Sequence, residues 1–171
     1  MRSKILMGRI SYTGGRRMGK RSVSIAWKVL LVYGLYTIML GLILLMAPRV
    51  FAVTEFESFT GAVWAEFAEA NAKVADFIEF PYRAMGCMMF LLGIYKIFIA
   101  LRPYRRAEAW SWWAILIPGV IVWSYIFSKS AMIGNIGDKN QLAPNILGIV
   151  IFLVAIVLPA RAMLGGKAAS R

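Results

Sequence analysis

Lys96 is the one charged residue well inside any of the long apolar runs of this sequence. A charge within a membrane-spanning helix is costly and marks a functional candidate by default, such as a substrate contact or an ion relay. Lys96 lies close to Leu101, where its run ends, and a long lysine side chain near a helix end can extend to the interface. We therefore expect Lys96 to snorkel to the interface, and we expect Lys96→Met to have little effect.

Four acidic residues between the first two apolar runs could in principle form a calcium site or a general acid/base pair. Three of them, Glu66, Glu69 and Asp76, are candidate partner contacts, and Glu79 is the fourth. Their spacing does not match a calcium-binding loop. No pattern brings two of them together on a substrate. We interpret them as the solvated or partner-facing side of a helix.

Soft sulfur ligands cluster at residues 85–89, which include Met85, Cys87, Met88 and Met89. Thioether and thiolate groups suit Cu(I), but adjacent positions of one helix point in different directions, so at most two could meet one ion. The chain has no histidine and one cysteine, which excludes His-ligated metals and an intramolecular disulfide. We predict no catalytic, metal or cofactor-binding residue, and no cofactor.

The composition is that of an integral membrane protein. Hydrophobic residues make up 60% of the 171 residues and charged residues 16%, against about 45–50% and about 25% in soluble domains. The net charge of +12 lies in blocks beside apolar runs, as membrane topology requires, so we predict no nucleic-acid binding.

Four apolar runs are each close to the ~20 residues that cross a hydrocarbon core of ~30 Å. They are residues 29–47, 82–101, 109–128 and 143–160. The sequence therefore predicts an all-α integral membrane four-helix bundle, formed by residues 1–171 as a single membrane domain.

The distribution of charge predicts the orientation. Residues 1–28, which include a basic leader at 1–22, hold eight Lys or Arg and no acid, whereas 48–81 holds two basic residues and six acids. Because Lys and Arg stay on the cytoplasmic side, we expect both termini in the cytoplasm and 48–81 outside. The first run is longer than the core of a signal peptide, so we expect it to be retained. We expect the inner membrane of a prokaryote, with the mitochondrial inner membrane as the alternative.

Apolar residues recur every three or four positions over 55–80, which predicts an extracytoplasmic amphipathic helix between the first two spans. Thr54 and Glu57 have the spacing of a capping box, which would begin the helix there. We expect one continuous helix that buries its phenylalanines while its acids face outward. The candidate partner-contact phenylalanines are Phe56, Phe59, Phe67 and Phe77.

Small residues predict where the helices approach each other. Gly34 and Gly41 in the first span, and Gly86 and Gly93 in the second, each repeat after seven residues, which places each pair on one helix face. We interpret both pairs as packing seams. The Pro118-Gly119 pair predicts a kink in the third span.

The third span begins with the segment Arg105-Arg106-Ala107-Glu108-Ala109-Trp110-Ser111-Trp112-Trp113-Ala114. This basic loop and Glu-x-Trp-x-Trp-Trp helix start resembles that of many small four-helix prokaryotic membrane proteins similar to the DoxX-like group. The resemblance implies a four-span layout, and because the group has no agreed catalytic residues it implies no site.

These patterns favour a non-catalytic accessory or structural subunit of a larger membrane complex, with the bilayer and other membrane subunits as partners. One alternative is a small homo-oligomeric transporter or channel, although polar pore-lining residues are scarce. Another is a membrane enzyme or a quinone-linked redox partner, which would need polar groups that converge in a pocket.

Overall fold

The computed structural model describes residues 12–134 and 139–165, and all the regular structure in these ranges is helical. Six α-helices follow one another along the chain, with a π-helical turn after the fourth. They are α1 (Tyr12–Met46), α2 (Arg49–Thr60), α3 (Trp64–Ala70), α4 (Ala72–Ile99), the π-turn (Ala100–Tyr104), α5 (Ala109–Ile133) and α6 (Lys139–Leu164).

Four helical stretches in the described part of the chain are long and apolar enough to cross a membrane: Arg21–Met46, Ala72–Tyr104, Ala109–Ile133 and Leu142–Leu164. This confirms the predicted all-α membrane bundle. The second stretch has 33 residues, or about 50 Å at ~1.5 Å per residue, against a hydrocarbon core of ~30 Å. The helix thus continues beyond the apolar run, because backbone hydrogen bonding does not stop at the edge of the bilayer.

The glycines form the seam between α1 and α4, as predicted. A Cβ atom added to Gly41 would lie 2.6 Å from the backbone nitrogen of Phe90, and one added to Gly86 would lie 2.6 Å from that of Leu45. Both distances are too short for a carbon atom, so only glycine permits this approach of the two backbones. Gly34 lies opposite Gly93 and Gly41 opposite Gly86, which makes the two helices antiparallel.

The other helices assemble on α1 and α6. α1 packs against both α4 and α6, α5 packs on α6, and α4 and α5 make few direct contacts. The ring of Phe152 fills the space beside Gly119, where a Cβ atom would lie 2.2 Å from it. α4 and α5 therefore do not pack closely along their lengths, and we call the space between them the α4–α5 groove.

Tyrosines compensate for two prolines inside the spanning helices. Proline has no N–H, so it leaves the carbonyl four residues earlier without its helical partner. Pro118 releases the carbonyl of Ala114, to which the Tyr95 hydroxyl donates at 3.4 Å. Pro159 releases that of Ala155, to which the Tyr104 hydroxyl donates at 2.5 Å. Neighbouring elements thus satisfy groups that lipid could not. α5 continues through Pro118 as one helix.

The prediction of one continuous helix over 55–80 was wrong. The segment consists of α2, α3 and the first turns of α4, and it breaks at Gly61 and Asn71. Gly61 adopts a left-handed conformation with φ of +71°, which glycine favours, and its N–H bonds to the carbonyl of Glu57 to close α2.

The predicted capping box was also wrong. α2 begins earlier, at Arg49, and Thr54 lies inside it. Glu57 instead acts across the break, because its carboxylate accepts a hydrogen bond of 2.9 Å from the backbone N–H of Trp64, the first residue of α3. The same residue therefore caps the next helix, whose first N–H groups lack helical partners.

The break at Gly61 divides the four phenylalanines. The rings of Phe56 and Phe67 lie 4.6 Å apart and both contact Trp64. Phe59 and Phe77 are 69% and 73% exposed, so the prediction that all four are buried was wrong for these two. A continuous helix would have kept them on one face, whereas the turn directs Phe59 away from the cluster. The acids Glu66, Glu69 and Asp76 are exposed, as predicted.

Candidate functional site

Lys96 is buried inside the bundle, with 6% of its surface exposed. Its Nζ donates a hydrogen bond of 2.9 Å to the Thr37 hydroxyl, across the seam on α1. The ammonium also lies 3.7 Å from the ring centroid of Tyr33, within the range of a cation–π contact. Thr37 in turn donates to the Tyr33 carbonyl at 2.8 Å, which orients its oxygen toward Lys96.

The expectation that Lys96 snorkels to the interface was therefore wrong. Side chains of a helix lean toward its N-terminus, and the N-terminal end of α4 lies away from Leu101. Thr37 lies opposite the stretch of α4 between Phe90 and Gly93, which precedes Lys96. The ammonium therefore points away from Leu101 and into the bundle. The expected small effect of Lys96→Met rested on snorkelling and therefore loses its basis.

The protein supplies no counter-charge for Lys96 within its described residues. The ion pairs found there join Glu79 to Arg49 and Arg83, and Glu55 to Lys129. The acids of the described chain lie within 55–79 or at Glu108, outside the apolar runs. Of the three N–H groups of the ammonium, Thr37 accepts one and the ring of Tyr33 faces the charge.

A small cavity of about 10 Å³ adjoins Lys96 in the α4–α5 groove. This volume holds about one water-sized group. Its walls include Tyr33, Leu92, Tyr95, Lys96, Pro118 and Val122. Tyr95 is 40% exposed at the surface of the bundle, so the cavity lies at the inner end of a groove that faces outward between two spanning helices.

A further buried donor lies beside this cluster. The indole N–H of Trp123 faces the Tyr33 side chain, and among the described residues it has no acceptor within normal hydrogen-bond geometry. Buried donors without partners are rare in folded proteins. The Trp123 indole is therefore a buried donor that meets no well-placed acceptor in the described part of the chain.

A second buried polar group lies at the end of the bundle formed by α2, α4 and α5. Glu55, on α2, accepts a hydrogen bond of 2.7 Å from the Tyr82 hydroxyl on α4 and pairs with Lys129 on α5. Glu79 pairs with Arg49 and, at 3.5 Å, with Arg83. These contacts hold α2 across the end of the bundle.

Sequence reasoning did not single out Glu55 or Glu79 as buried. Both fit the polar side of the predicted amphipathic helix as well as their exposed neighbours do. The available signal was Arg49, a basic residue in the acidic segment 48–81 that was predicted to face outward. A cation in an acidic segment indicates an ion pair, but the sequence does not specify which of the six acids forms it.

The remaining candidates are not brought together. Glu66, Glu69 and Asp76 are all exposed, and so are Cys87 and Met88 of the sulfur cluster. Within the described ranges, no group of three His, Cys, Asp or Glu side chains could hold a metal ion.

The Trp-rich start of α5 has a structural role. The Trp112 indole donates to the Ile156 carbonyl at 2.9 Å, and the Ser111 hydroxyl donates to the Glu108 carbonyl at 2.6 Å. Arg105 lies 5.3 Å from the ring centroid of Trp27. The motif thus joins α5 to α6 and to α1, and it presents no reactive group.

No protein-family model, curated protein or solved structure matches this chain.

Proposed function

We propose that the protein is a non-catalytic subunit of a larger membrane complex and that it docks on its partner through the outer face of α4. The observation that carries the proposal is a row of exposed apolar side chains that runs along α4 and continues beyond the length needed to cross the bilayer. We call this row the α4 stripe. It consists of Val74, Phe77, Pro81, Ala84, Met88, Leu91, Tyr95 and Phe98.

The spacing of the stripe suits contact with another helix. Its members alternate at three and four residues, the pattern that places knobs into the holes of a facing helix. Phe77, Met88 and Phe98 are each at least 70% exposed, so the protein's own helices leave them uncovered. A face with this spacing suits either a facing helix or lipid, and the end of the stripe outside the bilayer separates the two.

The end of the stripe at Val74 and Phe77 provides the stronger argument. Counting ~20 residues back from Leu101 brings the hydrocarbon boundary to about Tyr82, so Phe77 lies beyond it. The neighbouring acids Asp76 and Glu69 are exposed, which suits water or a protein partner. An acidic surface is a poor match for anionic lipid. A protein partner would cover the apolar side chains there.

The proposal predicts that Phe77→Asp releases the protein from its complex. The Phe77 side chain is 73% exposed, so the change should not unfold the chain, whereas Phe67→Asp would place a charge in the cluster with Phe56 and Trp64. Affinity purification from detergent-solubilised native membranes should recover partner subunits at least tenfold less with Phe77→Asp.

Met132→Asp is the matched control. Met132 is 80% exposed near the end of α5 and lies outside the α4 stripe, so this variant should retain its partners. Equal partner recovery from the wild type and Phe77→Asp would contradict the proposal. A purified wild type that contains one polypeptide, in a stable homo-oligomer, would favour the transporter or channel alternative.

We further propose that both termini are cytoplasmic and that α2 and α3 lie outside, in the inner membrane of a prokaryote or of a mitochondrion. The support is the alternation of basic and acidic segments.

Single cysteines at Ser58 and Ser170, in a background with Cys87→Ser, should react with an impermeant thiol reagent from opposite sides of the membrane. Ser58 is exposed on α2, and Ser170 lies outside the described residues. Labelling of both from the same side would contradict this topology.

A further inference from the structure

We infer that the α4–α5 groove binds the carboxylate head group of a single-chain lipid, with the Lys96 ammonium as its counter-ion. The site consists of the Lys96 cavity and the apolar walls of the groove next to it. Tyr95 belongs to both this site and the α4 stripe, but Phe77, where the docking proposal is tested, lies 19 residues before Lys96 on α4, and the docking function does not depend on the site.

Charge is the first argument. A buried cation without a paired anion is strongly unfavourable in a spanning segment, and functional intramembrane lysines pair with an acid or face a polar cavity. Lys96 has no carboxylate partner in the described residues and lines a cavity. A ligand that carries one negative charge would neutralise it and accept the remaining N–H.

The donors around the cavity favour an oxygen ligand. Lys96 donates to Thr37, whose own hydroxyl proton is directed to the Tyr33 carbonyl, so Thr37 has no second proton to offer. Among the residues that line the cavity, Lys96 still has donor capacity, because its ammonium carries three N–H groups and Thr37 accepts one of them. A carboxylate oxygen that accepts from a lysine forms a short, charge-assisted hydrogen bond, about twice as strong as a neutral one.

The size and position of the cavity favour a lipid chain as the carrier of that oxygen. A volume of about 10 Å³ admits one oxygen atom, so one carboxylate oxygen would enter the cavity while the other oxygen and the chain stay in the groove. Leu92 and Val122 give the groove apolar walls, along which an acyl chain can lie.

Binding of radiolabelled oleate to the purified protein in detergent tests the inference. We expect one saturable site per chain, and at least tenfold weaker binding by Lys96→Met. Methyl oleate, which has the same chain and no charge, should not compete. Val122→Phe should also weaken binding at least tenfold, because the larger ring occupies the groove while Lys96 is unchanged. Val157→Phe, at a 68% exposed position of α6, is the control and should bind oleate normally.

Several results would overturn the inference. Lys96→Met with unchanged oleate affinity would exclude the ion pair, and effective competition by methyl oleate would show that charge is not recognised. Competition by millimolar acetate or chloride as strong as that by oleate would indicate a small-anion site instead. Each variant must elute as a single species and keep its helical circular dichroism. If Lys96→Met fails this check, Val122→Phe decides the question.

Discussion

Replacing Gly86 with leucine is expected to destabilise the packing of α1 on α4 strongly. A Cβ atom at this position would lie 2.6 Å from the backbone nitrogen of Leu45 and 2.8 Å from the Gly41 carbonyl oxygen. Backbone atoms cannot turn aside as a flexible side chain can, so α1 and α4 would have to separate along the seam. We expect a loss of about 3 kcal/mol in the free energy of unfolding, the upper end of the usual range for overpacking.

Unfolding by sodium dodecyl sulfate in mixed micelles, followed by circular dichroism, measures this loss. Ala84→Leu is the matched control, since Ala84 is a small, exposed residue two positions earlier on the same helix. It should change the free energy of unfolding by less than about 0.5 kcal/mol, as surface substitutions usually do. Equal effects of the two variants would mean that α1 and α4 do not pack through their glycines.

Replacing Glu55 with leucine should also lower the free energy of unfolding, by a smaller amount, because it leaves a cation without its counter-ion. Glu55 is 6% exposed and binds both Lys129 and the Tyr82 hydroxyl. Its removal leaves the Lys129 ammonium partly buried without a counter-ion and the Tyr82 hydroxyl without its acceptor. A fully buried pair costs about 3–5 kcal/mol to break, and because the Lys129 side chain keeps 23% exposure we expect about 2 kcal/mol.

A double variant separates the ion pair from simple packing. If the unpaired charge is the cause, Glu55→Leu with Lys129→Met should recover at least half of the loss in the free energy of unfolding. Glu66→Leu, at an exposed acid of α3, is the control and should be close to neutral. A double variant as unstable as the sum of the two single variants would show that Glu55 and Lys129 act independently.

The amphipathic segment shows how a correct local pattern can give a wrong element. The apolar period over 55–80 is real, and nearly all of the segment is helical. Gly61 interrupts it because a left-handed residue reverses the chain at little cost when that residue is glycine. A count of apolar positions treats the whole segment as one helix and ignores such a turn. It therefore placed Phe59 and Phe77 on a buried face that the structure does not form.

Lys96 shows a different limit. Its place near the end of an apolar run was read correctly, and the direction of its side chain was not. The helix tilts that side chain toward Thr37, a residue 59 positions away that becomes a neighbour only when α1 and α4 pack. The same holds for Glu55, whose partner Lys129 is 74 positions away.

The sequence by itself determined the four spans and the glycine seam. A bilayer requires about 20 apolar residues in one helix, and glycines seven residues apart lie on one face whatever the rest of the chain does. Only the tertiary structure decided which groups meet. The partners of Lys96 and Glu55, and the tyrosines that bond to the carbonyls released by Pro118 and Pro159, come from other elements. Their contacts follow from how antiparallel helices pack, which no local pattern of residues encodes.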